Sequence, residues 1–372
     1  MTVVKGLRRY GIYLADQDRM RTRSHGIINY SIGLVASVSP LLASDEVLIV
    51  YTNEAISSEI DWVSFPNLEE RRLPSPKGPL SRILLDEVRV LQAARADHLH
   101  VLHFPKGMIP LRKPGATALI ASIHDDIPFQ YLRGFFGKRS PLFKNVYISL
   151  RLFYALHRAG TVVTLSEFSA NALARLKRQV IVAGIGVERA PVPDLAWGER
   201  DEIVVLCSDQ PHKLTSALLA LIDNSPAIRA HSGQVTLIGS LPKGLLLDAD
   251  RYAYSTYLST ENLEKKIRNA RLLICGSSYE GFGLPPVEAW AWGTPALYPA
   301  IEPILSNLNG IPGGYDMKSA TSFETALTQL LSIDDSRVQR HSEQVAERFA
   351  WNKTAQTILS LYRRSSEDHF VR

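Results

Sequence analysis

The chain has 372 residues, of which 45% are hydrophobic and 21% charged: enough for two domains with separate cores, and too apolar for a disordered polymer. A formal net charge of +5 is compatible with an anionic substrate or an anionic surface and selects neither. The two cysteines, Cys207 and Cys275, each close an apolar run; they make no disulfide framework and lack the spacing of a zinc site, which favours a reducing, cytoplasmic setting. Residues 1–10 lack the apolar centre of a secretion signal, and no apolar run has membrane length, so neither export by that route nor a membrane span is expected.

In chain order, Arg8 to Ala15 predicts a first strand, followed by a polar loop containing His25 and Gly26 and an amphipathic stretch from Ile27 to Ser37. No Gly-x-Gly-x-x-Gly follows that strand, which argues against a nicotinamide or flavin enzyme. Glu46 to Tyr51 reads as a second strand, Leu80 to Ala96 as a helix and His98 to Phe104 as a third strand. The apolar run from Ala118 stops at His124 and Asp125. Strands alternating with helices imply an α/β fold with parallel sheets, whose ligands bind beyond the carboxyl ends of the strands, so these two residues are candidates.

From Ile127 to Ser166 there is no acidic residue, while Arg133, Lys138, Arg139, Lys144, Arg151 and Arg158 are interleaved with aromatics. Residues 129–158 therefore suit an anionic membrane surface, and equally a helix with its aromatics in the core and its cations in water. Gly160 to Asn171 predicts a strand entering a helix, and Val180 to Glu188 a strand and turn. Residues 190–201 combine prolines, glycine and charge without periodicity, which places a boundary between domains 1–188 and 189–350.

The second domain opens with the strand Ile203 to Cys207, the loop Ser208 to Leu214 and a helix through Leu221. Val235 to Gly239 is a further strand, and Ser259 caps a helix with acids in its first turn. Arg271 to Gly276 is a buried strand; Ala296 to Tyr298, a short helix from Glu302 to Asn309, an amphipathic stretch from Thr321 to Ser332 and a final helix beginning at Arg348 follow. Between them lies Ser277-Ser-Tyr-Glu-Gly-Phe-Gly-Leu-Pro-Pro-Val-Glu-Ala-Trp-Ala-Trp-Gly-Thr-Pro295. Gly281 and Gly283 free the backbone, so that amides around Phe282 can face an anion, and Pro285 and Pro286 open a helix that Gly293 and Pro295 stop. Glu280 and Glu288 flank the helix start, where carboxylates suit the hydroxyls of sugars on either side of a phosphate. The bland reading is that both glutamates merely favour the helix N-terminus, worth about 0.3–1 kcal/mol each.

This stretch resembles the signature of the GT-B glycosyltransferases of family 4 (glycosyl transferases group 1), in which two glutamates separated by seven residues bracket Gly-Phe-Gly-Leu-Pro. The resemblance implies two Rossmann-like domains with parallel sheets facing across a cleft, and residues 351–372 returning to the first domain. It implies a retaining transferase that moves a sugar from a UDP- or GDP-sugar to a saccharide or lipid-linked saccharide, in surface polysaccharide or lipopolysaccharide assembly. Glu280 would contact donor-sugar hydroxyls and Glu288 the ribose, with the amides of Gly281, Phe282, Gly283 and Leu284 on the diphosphate. His124 and Asp125 resemble a His-Asp pair whose histidine lies beside the donor sugar; Asp125 and the loop with His25 and Gly26 would face the acceptor. Lys213 matches a lysine that neutralises the pyrophosphate; His212 stands where an arginine is usual and Ser208 where a glycine is usual. Asp248-Ala-Asp250 looks like a metal triplet of another architecture but lies away from the motif, so no metal is expected to be required. The alternatives are a catalytically degenerate partner protein that binds a sugar nucleotide, and a GT-B epimerase; nucleic acid is not an expected partner.

Overall fold

The computed structural model describes residues 7–18, 25–58, 60–75, 78–112, 115–134, 142–176, 179–188, 194–245, 247–248 and 250–367. The chain divides into two compact units, one formed by Met1–Phe129, Phe143–Gly186 and Trp351–Arg372, the other by Gln130–Leu142 and Val187–Ala350.

The first unit is built on seven strands: β1 (Arg8–Tyr13), β2 (Glu46–Thr52), β3 (Leu68–Arg72), β4 (Val101–Phe104), β5 (Ala118–Ser122), β6 (Thr161–Thr164) and β7 (Ile181–Val182). They lie in the order β3-β2-β1-β4-β5-β6-β7, and every pairing is parallel. A parallel sheet covered by helices on both faces has to be apolar along whole strands rather than at alternate positions, and β2 is buried at every residue. Its Glu46 is neutralised from the last helix, Trp351–Glu367: Arg363 Nε and Nη2 donate to the two carboxylate oxygens at 2.8 Å each, and Tyr10 donates at 3.0 Å. Burial raises the carboxyl's pKa, but these hydrogen bonds outweigh it and hold the pKa at about 2.

The second unit carries β8 (Ile203–Cys207), β9 (Val235–Gly239), β10 (Tyr252–Ser255), β11 (Leu272–Cys275), β12 (Ala296–Pro299) and β13 (Gly314–Tyr315), in the order β10-β9-β8-β11-β12-β13, again all parallel.

Several boundaries differ from the sequence reading. His25 and Gly26 form the first turn of a helix, His25–Val38, rather than a loop. The expected helix from Leu80 to Ala96 is broken by a π-turn at Leu85–Arg89, whose wider pitch puts Asp86 against the Tyr13 hydroxyl (2.7 Å) and Glu87 against Arg151 (2.5 Å). β3, β10 and β13 have no counterpart in the predicted elements. A helix at Asp335–Arg348 ends where the final helix was expected to begin, and the last helix starts at Trp351.

Candidate active site

β8 and β11 are neighbours, with Cys275 opposite Leu206, so the loops leaving their carboxyl ends are side by side. There Lys213 Nζ meets Glu280 Oε1 at 2.6 Å, with side-chain exposures of 28% and 14%. The two loops are stitched together by one carbonyl: His212 O accepts from Ser278 N (2.7 Å), Ser277 Oγ (3.2 Å) and Ser278 Oγ (3.1 Å). Ser208 closes the same loop, its amide donating to Thr215 Oγ1 at 2.9 Å. Directly after Lys213, Leu214 sits at φ +51°, a left-handed conformation that costs a branched side chain about 1–2 kcal/mol and that the rest of the loop must enforce.

In the signature stretch, of the two glycines expected to use unusual backbone angles, Gly283 does (φ +82°) and Gly281 is not among the left-handed residues. A Cβ on Gly283 would lie 2.4 Å from Ile304 Cγ1, so the position excludes side chains on two counts. The helix runs Leu284–Ala291. Because Pro285 and Pro286 have no N–H, backbone donors for an anion here come from residues 281–284. Phe282 is buried; its carbonyl accepts from Asn307 Nδ2 at 2.7 Å and its ring meets Phe349 edge-on at 5.4 Å. Glu288, partly buried one turn into the helix, has no side-chain hydrogen bond or ion pair among the described residues. Burial first, and then the Glu264 carboxylate, push its pKa up to about 7.

The His212 ring is engaged by Tyr131. This buried ring meets the Tyr131 hydroxyl at 3.0 Å through Nδ1, and burial together with the Lys213 charge lowers its pKa to about 4, against a weaker opposing pull from Glu280. It is therefore neutral and cannot replace an arginine as a cation.

In the first unit His124 follows β5. Its Nε2 faces the Pro105 carbonyl at 2.6 Å, and since a carbonyl only accepts, Nε2 carries the proton and Nδ1 keeps the lone pair of the neutral ring. Burial lowers the His124 pKa to about 4, with the Pro105 bond opposing. Tyr30 packs its ring edge-on against His124 at 4.9 Å, and behind it lies a buried chain: Tyr30 OH to Ser122 Oγ (3.3 Å), Ser122 Oγ to His103 Nε2 (2.7 Å) and His103 Nδ1 to Tyr362 OH (2.8 Å). Asp125 Oδ1 accepts from the Ile127 amide at 3.0 Å. Gly26 is helical, and the His25 side chain lies outside the described residues.

In the helix Leu142–Arg158, Tyr147, Leu150 and Phe153 are 50%, 63% and 46% exposed, so these apolar residues do not face the core. Arg151 is engaged with Glu87 and the Ile109 carbonyl. Lys138 and Arg139 lie outside the described residues, as does the side chain of Lys144. Among the described residues no helix is long and apolar enough to cross a membrane, and no group of three or more His, Cys, Asp or Glu could hold a metal ion. Asp248 Oδ1 accepts from the Asp250 amide at 3.0 Å, in the turn that leads into β10.

Tyr131, Asn307, Phe349 and Tyr30 were not legible as site residues, because their partners lie far away in sequence and no local motif marks them.

Residues 247–341 match the family described as Glycosyl transferases group 1. That segment contains the Glu280 to Glu288 signature and excludes Lys213. Over 126 residues, 33% of this chain, the sequence is 29% identical to a D-inositol 3-phosphate glycosyltransferase of Mycolicibacterium smegmatis. Over 107 residues, 28% of this chain, it is 33% identical to a protein of the same name from Corynebacterium urealyticum. The matched stretches span only 29% and 25% of those relatives' lengths. Among solved structures, the sucrose-phosphate synthase of Thermosynechococcus elongatus superposes with a TM-score of 0.66 at 16% identity, covering 96% of this chain and 98% of that one. Anabaena Alr3699/HepE in complex with UDP and glucose gives 0.66 at 14% identity, covering 96% and 100%. At such identities the likeness concerns the fold, and it agrees with the topology: an α/β chain of two Rossmann-like parallel-sheet units, as in GT-B glycosyltransferases.

Proposed function

We propose that this protein is a retaining glycosyltransferase of family 4, moving a sugar from a UDP- or GDP-sugar to a saccharide or lipid-linked saccharide acceptor without a required metal. The observation that carries the reading is the ion pair between Lys213 and Glu280 beside the Gly283 turn, with Glu288, which has no ion pair among the described residues, one turn into the helix. The pair sets two charged groups side by side. When the donor enters, Lys213 exchanges Glu280 for the diphosphate and Glu280 takes sugar hydroxyls, so each charge keeps a partner. Lys213 and the amides of Gly281, Phe282, Gly283 and Leu284 stabilise the negative charge that grows on the departing phosphate oxygen. Glu288 accepts from the ribose diol. The donor thus belongs to the second unit; by the resemblance, His124 serves the donor sugar, and Gly26 and Asp125 serve the acceptor.

The deciding experiment is a thermal-shift screen of UDP- and GDP-sugars, followed by turnover of the stabilising donor with saccharide acceptors. Release of nucleoside diphosphate that depends on acceptor supports transfer, and release without any acceptor points to the epimerase or a hydrolase. The neutral His212 favours one second reading, a protein that binds the sugar nucleotide and does not turn it over; stabilisation by donor with no product from any acceptor would support it. The exposed Tyr147, Leu150 and Phe153 are consistent with a cytoplasmic protein that docks on an anionic membrane carrying a lipid-linked acceptor of surface polysaccharide assembly.

Glu288 gives this reading a pH signature. Its folded pKa, about 7, is raised above the ordinary value of 4.5, so the stability associated with this group is fully present below pH 4.5 and is lost as pH rises through 7. A ribose diol donates to the carboxylate and favours the ionised form, so donor affinity has the opposite slope. It weakens by up to tenfold per pH unit below about pH 7 and levels off above pH 8. Calorimetric titration of donor between pH 5.5 and 8.5 is expected to show this slope in the wild type and a flat profile in Glu288→Gln; a flat wild-type profile removes Glu288 from the ribose.

A further inference from the structure

A cavity of about 580 Å³ opens at the other end of the second unit's sheet, where loop 310–312 leads into β13. All strands run parallel, so this amino-terminal edge is the one remote from Lys213 and Glu280, which follow carboxyl ends. Arg337, Arg340 and His341, at positions i, i+3 and i+4 of the helix Asp335–Arg348, form one wall. Gln329 and Ser332, at the end of the helix Ala320–Leu331, form another, and Ile311 supplies an apolar floor. No carboxylate lines the cavity. Arg340 makes no ion pair or side-chain hydrogen bond among the described residues. Arg337 has only an exposed contact with Asp334 one turn back, at 3.4 Å with exposures of 67% and 57%, which is worth little and easily given up. Two guanidinium groups with a hydroxyl and an amide beside an apolar floor suit a phosphate attached to a compact polar body, and the volume lies within the range of small-ligand sites.

We infer that this cavity binds a small sugar phosphate and that its occupancy is felt at the donor loop. The helix Asp335–Arg348 spans both places. Near the cavity, the His341 ring meets Trp290 edge-on at 5.6 Å and Ser342 Oγ donates to Ala291 O at 3.1 Å, both on the helix that carries Glu288. At its far end Phe349 rests on Phe282, and Arg348 donates to the carbonyls of Asn307 (2.6 Å) and Asn309 (3.2 Å), while Asn307 holds the Phe282 carbonyl. A ligand that draws Arg337 and Arg340 toward loop 310–312 therefore acts on a rigid element that also fixes the diphosphate loop. Binding at the cavity is independent of the proposed transferase activity; the coupling rests on the donor-loop reading.

The test is calorimetric titration of the full chain with glucose 6-phosphate, glucose and inorganic phosphate, using the wild type, the double variant Arg337→Gln/Arg340→Gln and Glu280→Ala. Both arginines are exposed, so the double variant should keep its melting temperature. Saturable binding of glucose 6-phosphate is expected in the wild type and in Glu280→Ala, at least about tenfold weaker in the arginine variant and absent for glucose. No saturation by about 10 mM, equal affinity in the arginine variant, or loss of binding in Glu280→Ala would each overturn the site. Inorganic phosphate binding as tightly as glucose 6-phosphate would overturn the sugar part. Coupling is read as a change in UDP affinity at saturating glucose 6-phosphate, present in the wild type and absent in the arginine variant. UDP affinity needs no turnover, so a protein that binds UDP but transfers nothing counts against the transferase alone, while unchanged UDP affinity overturns the coupling.

Discussion

Replacement of Lys213 by methionine is expected to lower kcat by about 10²–10³-fold, the loss typical of removing one preorganised donor from a developing oxyanion. The methionine keeps the length and packing of the side chain and removes only the charge. Because charge builds on the departing phosphate as the glycosidic bond breaks, the lysine matters more in the transition state than in the bound complex, and kcat should fall further than KM rises. Glu280→Gln should weaken donor binding as well, since in the proposed reading the glutamate holds the sugar before reaction. The two residues are ion-paired at 2.6 Å, so the double variant should show less than the sum of the single effects. Steady-state kinetics of the four proteins with the donor found by screening check this. A Lys213→Met enzyme within about threefold of wild type would remove the lysine from the mechanism.

Gly186→Val is expected to destabilise the first unit by about 3 kcal/mol, at the upper end of ordinary overpacking. A Cβ at Gly186 would lie 2.1 Å from Trp351 Cγ and 2.5 Å from Trp351 Cα, and the backbone atom cannot step aside. Trp351 also lies against Gly33, where a Cβ would be 2.2 Å from its ring. The tryptophan is thus clamped between two glycines and starts the helix whose Tyr362 and Arg363 reach His103 and Glu46. Calorimetry should show the melting temperature of the first transition falling by roughly 6–12 °C, and the Trp351→Ala background should absorb only the part due to the indole ring. Gly198→Ala, with nothing within 4 Å of the new atom, is the control and should be near neutral. An unchanged Gly186→Val transition would mean that the last helix does not dock here.

The elements visible in the sequence share one physical trait. β2, β5, β8 and β11 have neighbours on both sides and are apolar along most of their length, so they stand out as runs. The missed strands, β3, β10 and β13, are edge strands of their sheets. An edge strand meets water on one side and can be polar: Leu68-Glu-Glu-Arg-Arg72 pairs through its backbone while its side chains form surface ion pairs. The exposed and strongly charged helix at Asp335–Arg348 escaped for the same reason, since only Val338 and Val345 are buried in it.

The signature from Glu280 to Glu288 was legible because its chemistry is local: a glycine turn, a helix start with prolines in its first turn, and one carboxylate on either side of that start need no distant partner to be understood. The sequence alone thus determined the parallel α/β architecture and the loop that bears the candidate donor chemistry. Only the tertiary structure decided the state of the groups around it. It paired Lys213 with Glu280, buried Glu288 with the Glu264 carboxylate within electrostatic reach and so raised its pKa, and turned His212 into a buried, neutral ring held by Tyr131. The reason is that charge state depends on what is excluded from around a group, and that exclusion is assembled from residues tens to hundreds of positions apart, which no local pattern encodes.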